Sequence, residues 1–244
     1  FFVSSAANSQ SISAIAFDGT QYLVVWNDSR SFVGIDIYGA RVRASDGMVL
    51  DAAGIPISTA KNAQTLAAVG FDGSQFLVAW SDGRNGGGDD IYGSRLLADG
   101  TVVDPAGIAI STEAGIQSSP SVAAVAGTFL VTWDDKRTGG QSDVYGARVR
   151  ASDGAVLEPQ GLALATGATA QGPSAVASDG SRFLVVWRQA SGALGELLSL
   201  RVEADGTVLD PGGVVLAAST THSKQAPAAV FDGTHFMVVW DDAF

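Results

Sequence analysis

The segment FDGTQYLVVW at 17–26 returns as FDGSQFLVAW at 71–80, VAGTFLVTW at 125–133, SDGSRFLVVW at 178–187 and FDGTHFMVVW at 231–240. The tryptophans that close these copies, Trp26, Trp80, Trp133, Trp187 and Trp240, recur at intervals of 54, 53, 54 and 53 residues. A fixed period of this length marks stacked units, none of which can bury its own apolar face alone. The 244 residues therefore read as one domain, with repeats at about 11–64, 65–118, 119–171 and 172–224, and with 225–244 closing on 1–10.

Within a unit, a short apolar stretch such as SISAIAFDG turns at Asp-Gly into the run that ends in Trp. Asp-Gly between two apolar runs is a hairpin signal, because both residues tolerate the positive φ of a tight primed turn. The run itself (YLVVW, FLVAW, FLVTW, FLVVW, FMVVW) has no polar alternation, which suits a strand covered on both faces. A third strand follows as DIYGARVR, DIYGSRLL, DVYGARVR or ELLSLRVE, whose partial alternation suits a place nearer the sheet edge. After a second Asp-Gly come MVLDAAGIPIST, TVVDPAGIAIST, AVLEPQGLALAT and TVLDPGGVVLAA, each bent at Pro or Gly.

Four antiparallel strands per unit of about 53 residues, repeated in tandem, are the blades of a β-propeller. The expected fold is all-β and five-bladed, with an incomplete closing blade. Its first two strands come from 225–244, its third is missing, and FFVSS at 1–5, which matches the fourth strand, moves inward beside the final Trp strand. A larger ring or array cut at both ends is the alternative.

The stretch WNDSRSFVGIDIYGARVRASDG resembles TolB-type propeller repeats, in which a strand ends in a Ser-Asp-Arg phrase and a Glu-Ile-Tyr phrase opens the next. The whole unit is similar to the tandem FDG…YLVVW…DIYGARV repeats of large secreted or surface proteins of bacteria. These resemblances imply a propeller and a secreted, periplasmic or cell-surface location. They bring no catalytic motif, since TolB-type propellers present a surface to partner proteins.

With 46% hydrophobic and 16% charged residues the chain is expected to fold around a buried core. A net charge of −11, with lysine only at Lys61, Lys136 and Lys224, argues against nucleic acid and anionic membranes as partners. No apolar run approaches the roughly 18 residues of a membrane span, so no membrane insertion is expected. Cysteine is absent, which removes disulfides and thiolate sites. The opening FFVSSAANSQ lacks an initiator Met and a basic region and reads as neither a natural start nor a signal peptide.

Charged positions also repeat. Each of the first three tryptophans is followed by Asp at +2 and Arg at +4: Asp28 and Arg30, Asp82 and Arg84, Asp135 and Arg137. Then come Asp36 and Arg41, Asp90 and Arg95, Asp143 and Arg148. In the fourth unit Gln189 and Ser191 replace the first Asp and Arg together, while Glu196 and Arg201 persist. Joint loss implies a pair, and a charge-assisted network that fixes the loop after the Trp strand accounts for it. The alternative is a hard-oxygen site for Ca²⁺ in SDGRNGGGDD, with Asp82, Asp89 and Asp90 as candidate ligands. His235 occupies an ordinary turn position, His222 has no recurring acid or Ser partner, and Asn27-Asp28-Ser29 matches a glycosylation sequon.

No catalytic or cofactor residue stands out, since nearly every acid recurs or lies in a turn and the four glutamates form no cluster. The composition therefore leads to a non-catalytic binding or assembly module with protein or glycan partners, and to no enzyme. A lectin-like version, a propeller-type glycoside hydrolase and a structural subunit are the alternatives.

Overall fold

The computed structural model describes residues 2–32, 34–191, 194–218 and 222–243, and among these no helix is present. Blade 1 comprises β1 (Gln10–Phe17), β2 (Gln21–Asp28), β3 (Asp36–Arg43) and β4 (Ile55–Ser58). Blade 2 comprises β5 (Gln64–Phe71), β6 (Gln75–Asp82), β7 (Asp90–Leu97) and β8 (Ile108–Ser111). Blade 3 comprises β9 (Gln117–Val125), β10 (Thr128–Asp135), β11 (Asp143–Arg150) and β12 (Leu162–Ala165). Blade 4 comprises β13 (Gln171–Ser178), β14 (Arg182–Ser191), β15 (Leu194–Glu203) and β16 (Val214–Ala217). Blade 5 is β17 (Ser223–Phe231) and β18 (Phe236–Ala243) alone. Every sheet is an antiparallel meander, so the expected blades, including a short fifth, are present.

The unalternated Trp strand supplies both faces of each blade. In blade 1, Leu23 and Val25 of β2, with Ile37 and Ile57, pack against Phe76, Val78 and Trp80 of β6. Leu77, Ala79, Ile91 and Ile110 meet Phe129, Val131 and Trp133 in the same way, and Leu130, Val144 and Leu164 meet Phe183, Val185 and Trp187. Trp80, Trp133 and Trp187 thus face the preceding blade. The first strands converge on the centre, where residues from β1, β5, β9 and β13 line one cavity.

Several expectations need correction. The Asp-Gly hairpins are not doubly positive turns: Gly19 has φ of 99°, while Asp18 stays outside the positive region and its Oδ1 accepts from the N–H groups of Thr20 and Gln21, each at 2.8 Å. The third strand, expected nearer the edge, has one further strand outside it, and β3, β7 and β11 are hydrogen-bonded on both sides and mostly buried. The fourth strand shortens to four residues, and the chain before it reaches the sheet only through isolated bridges such as Val42↔Val49. Residues 2–9 form no strand beside β18. Val3 instead packs over Val24, Trp26 and Val42 on the open face of blade 1, where apolar surface lacks a neighbouring blade. Phe1 and Phe244, the ends of that expected closing pair, lie outside the described residues.

Candidate functional site

Each first strand carries an irregularity at one place: the register slips between Ile12 and Ala14, Thr65 and Ala68, Gln171 and Ser174, and Gln225 and Ala228. In blade 3 the slip likewise adds a residue to the first strand, where Ser118 to Ser121 of β9 run opposite Asp134 to Thr132 of β10. Leu66, Ser119 and Ala226 take φ of 55°, 57° and 44° there. A bulge bends the strand and re-aims its side chains. Here it turns Ser11, Ile12, Ser13, Leu66, Ser119 and Ser174 into the wall of a central cavity of about 370 Å³.

The residue directly after each Trp pairs beside that bulge: Asn27 opposite Ser11, Ser81 opposite Thr65, Asp134 opposite Ser118 and Asp241 opposite Gln225. Arg188 holds the place in blade 4. These five positions read Asn, Ser, Asp, Arg, Asp, in a molecule whose neighbouring positions repeat. Asn27 lines the cavity and its Oδ1 accepts from the Ser13 hydroxyl at 3.2 Å, so the sequon Asn is part of the wall. Ser81 Oγ accepts from the Ser119 N–H at 3.2 Å. Arg188 Nε donates to the Lys224 carbonyl at 3.1 Å.

Asp134 differs from all of these. Its residue is partly exposed, but Oδ1 is sealed from solvent and finds no hydrogen-bond donor. Burial pushes its pKa up to about 7, with Lys136 opposing only in part. The carboxyl reaches toward Gly172 of blade 4, where φ is 105° and a methyl group would fall on Oδ1. The lack of a side chain there makes room for the acid. A carboxyl kept protonated near neutrality, with free hydrogen-bonding capacity, is what general-acid chemistry requires.

The repeated charges form two networks. Asp28 accepts from Trp26 Nε1 at 2.8 Å and from Arg30 Nη2 at 2.6 Å, and the guanidinium lies 3.9 Å from the Tyr38 ring centroid. The same set recurs at Trp80, Asp82, Arg84 and Tyr92, and at Trp133, Asp135, Arg137 and Tyr145. Where Gln189 and Ser191 replace the pair, Trp187 Nε1 has no acceptor, and β14 and β15 extend to the pair Ser191↔Leu194. The second arginines do not pair with Asp36, Asp90 or Asp143. Their partners are Asp51, Asp104, Glu158 and Asp210, which the motif reading missed because these acids lie in the connection to the fourth strand. Arg41, Arg95 and Arg148 also donate across to Ala98, Ala151 and Ala204 in the following blade.

Asp36 stands opposite Asp28, and its carboxyl is pushed up by burial, with Ser31 opposing and the Asp28 charge adding. Asp143 occupies the same place opposite Asp135, and Glu196 stands opposite Gln189. Of the candidate calcium ligands, Asp82 is spent on Trp80 and Arg84, and Asp90 accepts from Asn85 at 2.5 Å. Among the described residues no group of three acidic or histidine side chains could hold a metal ion. His235 is an exposed turn residue whose N–H binds Asp232.

No protein-family model and no curated protein matches the chain. Solved structures do share its fold. A thermostable family-43 glycoside hydrolase superposes with a TM-score of 0.59 at 10% identity, covering 98% of this chain and 86% of its own. An α-L-arabinanase from Penicillium chrysogenum, complexed with arabinobiose, gives 0.58 at 14% identity over 93% and 73%. An α-L-arabinofuranosidase from Lactobacillus brevis gives 0.56 at 15% identity over 94% and 82%.

These similarities overturn the reading of a non-catalytic module and of a non-enzyme, since the proteins that share the fold are glycan-cleaving enzymes. The premise of that reading also fails. It held that an enzyme needs an asymmetric site and that none was visible, yet the position after each Trp differs from blade to blade. Comparing that one column across the five copies would have exposed it. Asp134 was hidden because it stands next to the recurring Asp135.

Proposed function

We propose that this chain is a propeller-type glycoside hydrolase working at the mouth of the central cavity, with Asp134 as general acid. The observation that carries the proposal is the Asp134 carboxyl, free of hydrogen-bond donors at Oδ1 and with a pKa pushed up to about 7. The glycan-cleaving proteins of the same fold support the choice of substrate class.

Glycosidic cleavage needs a second carboxyl to act as base toward water or as nucleophile toward the sugar. Asp241 supplies it: it is the other acid among the five equivalent positions, and it is exposed. Arg188 stands between the two along the ring, as a cation able to bind sugar hydroxyls or the carboxylate that forms when Asp134 gives up its proton. In the reaction Asp134 donates that proton to the leaving glycosidic oxygen as the bond to the anomeric carbon breaks. The product alcohol departs with that proton, water bonds through its oxygen to the anomeric carbon while Asp241 takes the proton the water loses, and Asp241 releases this proton to solvent as Asp134 is protonated again.

The test is release of reducing ends from a panel of arabinan, xylan and β-mannan oligosaccharides and of nitrophenyl glycosides. Activity is expected on at least one, falling as pH rises through about 7 while the acid loses its proton. Asp134→Asn and Asp241→Asn are each expected to lower kcat by about 10²-fold or more with circular dichroism unchanged. Full activity in Asp134→Asn, or no cleavage of any substrate by the folded wild type, overturns the proposal.

A further inference from the structure

Blade 4 departs from blades 1 to 3 at one place on its junction with blade 3. In blades 1 to 3 the Trp Nε1–H donates to Asp28, Asp82 or Asp135 at 2.7 to 2.8 Å, and the Arg that binds this acid lies on Tyr38, Tyr92 or Tyr145. The same guanidinium donates to the carbonyl of Ala53, Ala106 or Gln160 at 2.6 to 2.7 Å. In blade 4 all three side chains change together: Gln189 stands for the Asp, Ser191 for the Arg, and Leu198, opposite Trp187, for the Tyr. The carbonyl at the place that receives the guanidinium belongs to Gly212.

The smaller side chains leave a cavity of about 230 Å³ between the end of β12 and the loop that leads to β16. Trp187, Gln189, Thr166 and Gly212 give it polar groups, and Leu164 and Pro211 are among its apolar walls. Trp187 is 1% exposed, and its Nε1 is sealed from solvent with no acceptor among the described residues. The indole keeps the orientation of its counterparts, because Gly213 abuts its Cζ2 edge as Gly54, Gly107 and Gly161 abut theirs. Its unpartnered N–H therefore points to the place that the aspartate fills in the other blades. A buried donor without a partner is costly, so a ligand that brings an acceptor there is favoured. A water takes up roughly 30 Å³ in the liquid, so one water answers the indole without filling the space.

We infer that this cavity binds one neutral sugar residue of a glycan. No charged side chain lines it, so nothing there offsets the desolvation of an ion. Its polar groups are a mixed set: the indole N–H donates, the Gly212 carbonyl accepts, and the Gln189 amide and the Thr166 hydroxyl do both. Hydroxyl groups, which also do both, match that set, and the apolar walls suit the C–H face of a sugar ring. The site lies between the outermost strand of blade 3 and the loop of blade 4, away from the first strands that line the central cavity, so it anchors a glycan and does not cleave it. The choice of a sugar among neutral ligands rests on the reading of the chain as a glycan-cleaving propeller, whereas the site itself uses neither Asp134 nor Asp241.

The test follows the indole N–H resonances of the intact chain by NMR as arabinotriose, xylotriose or mannotriose is added, with urea as the control that is not a sugar. Saturable movement of the Trp187 signal is expected with at least one sugar at millimolar concentration. The signals of Trp26, Trp80 and Trp133, already bonded to carboxylates, are expected to stay in place. Gln189→Leu is expected to bind that sugar about tenfold more weakly, as one hydrogen bond is lost, with cleavage at the central cavity unchanged. Thr166→Val, at an exposed position where the fold is not at stake, is expected to weaken binding in the same direction. Asp134→Asn is expected to give the wild-type shift. Movement of the Trp187 signal by a sugar that is not cleaved counts against the proposed hydrolase alone. Cleavage with no movement of the Trp187 signal, equal binding by both Gln189→Leu and Thr166→Val, or movement with urea and with no sugar overturns the inference.

Discussion

The proposed acid Asp134 carries a stability cost. Its carboxyl has an unfolded pKa near 3.8 and a folded pKa of about 7, so between these values the native state binds the extra proton. Native stability therefore declines as pH rises from about 4 to 7 and is flat above, because the buried charge is disfavoured once it forms. Asp134→Asn removes the titrating group. Its urea midpoint is expected to exceed that of the wild type at pH 8 and to approach it at pH 4, which paired chemical denaturations would show. A variant that loses activity while gaining stability at pH 8 has the signature of a strained functional acid. The acid's raised pKa could not be read from sequence, because it depends on Gly172 in the following blade and on the missing donor at Oδ1, both of which are tertiary facts.

At the scale of the blade, the two arginine networks differ in depth and so in worth. Asp82 is fully buried and joins Trp80 Nε1, the Arg84 guanidinium and the Arg84 N–H. Asp82→Ala leaves an indole N–H and a cation without their acceptor and is expected to cost about 3 kcal/mol. Asp210→Ala removes the partner of the exposed Arg201, a solvent-screened pair, and is expected to lower the melting temperature far less. Thermal unfolding of both variants checks the contrast. The first network was legible because its members stand two residues apart on the chain and vanish together in blade 4. The second was only half legible: Arg41 and Asp51 are ten residues apart, and the turn at 46–47 that brings them together carries no sign of the pairing. The bulges were missed altogether, since Leu66 and Ser119 are poor markers of positive φ and only the backbone reveals it.

Over the whole molecule, Asp51 is held below its ordinary range by the Arg41 hydrogen bonds, and Asp28 and Asp104 are lowered because their arginine bonds outweigh the burial that opposes them. Groups with depressed folded pKa values contribute stability that is present above the unfolded value near 3.8 and is lost as pH falls through the folded one. Acid unfolding is accordingly expected below about pH 4, followed by circular dichroism, and a native state that persists at pH 2 would contradict it. The repeat period made the five blades readable, because a unit that must meet copies of itself cannot vary its faces. The fate of residues 2–9 was not readable, because a short apolar segment fits either a sheet edge or the open face of blade 1. The uniform faces also bear on how such a chain changes over time. Leu23 and Val25 meet Phe76 and Val78 as Leu77 and Ala79 meet Phe129 and Val131, so these two junctions are built from the same kinds of residue, whereas Thr132 meets Ser174 through a hydroxyl pair at the third. A gene rearrangement that adds or deletes one unit of about 53 codons is thus expected to join faces of the same kind at the first two, while the position after each Trp diverges on its own.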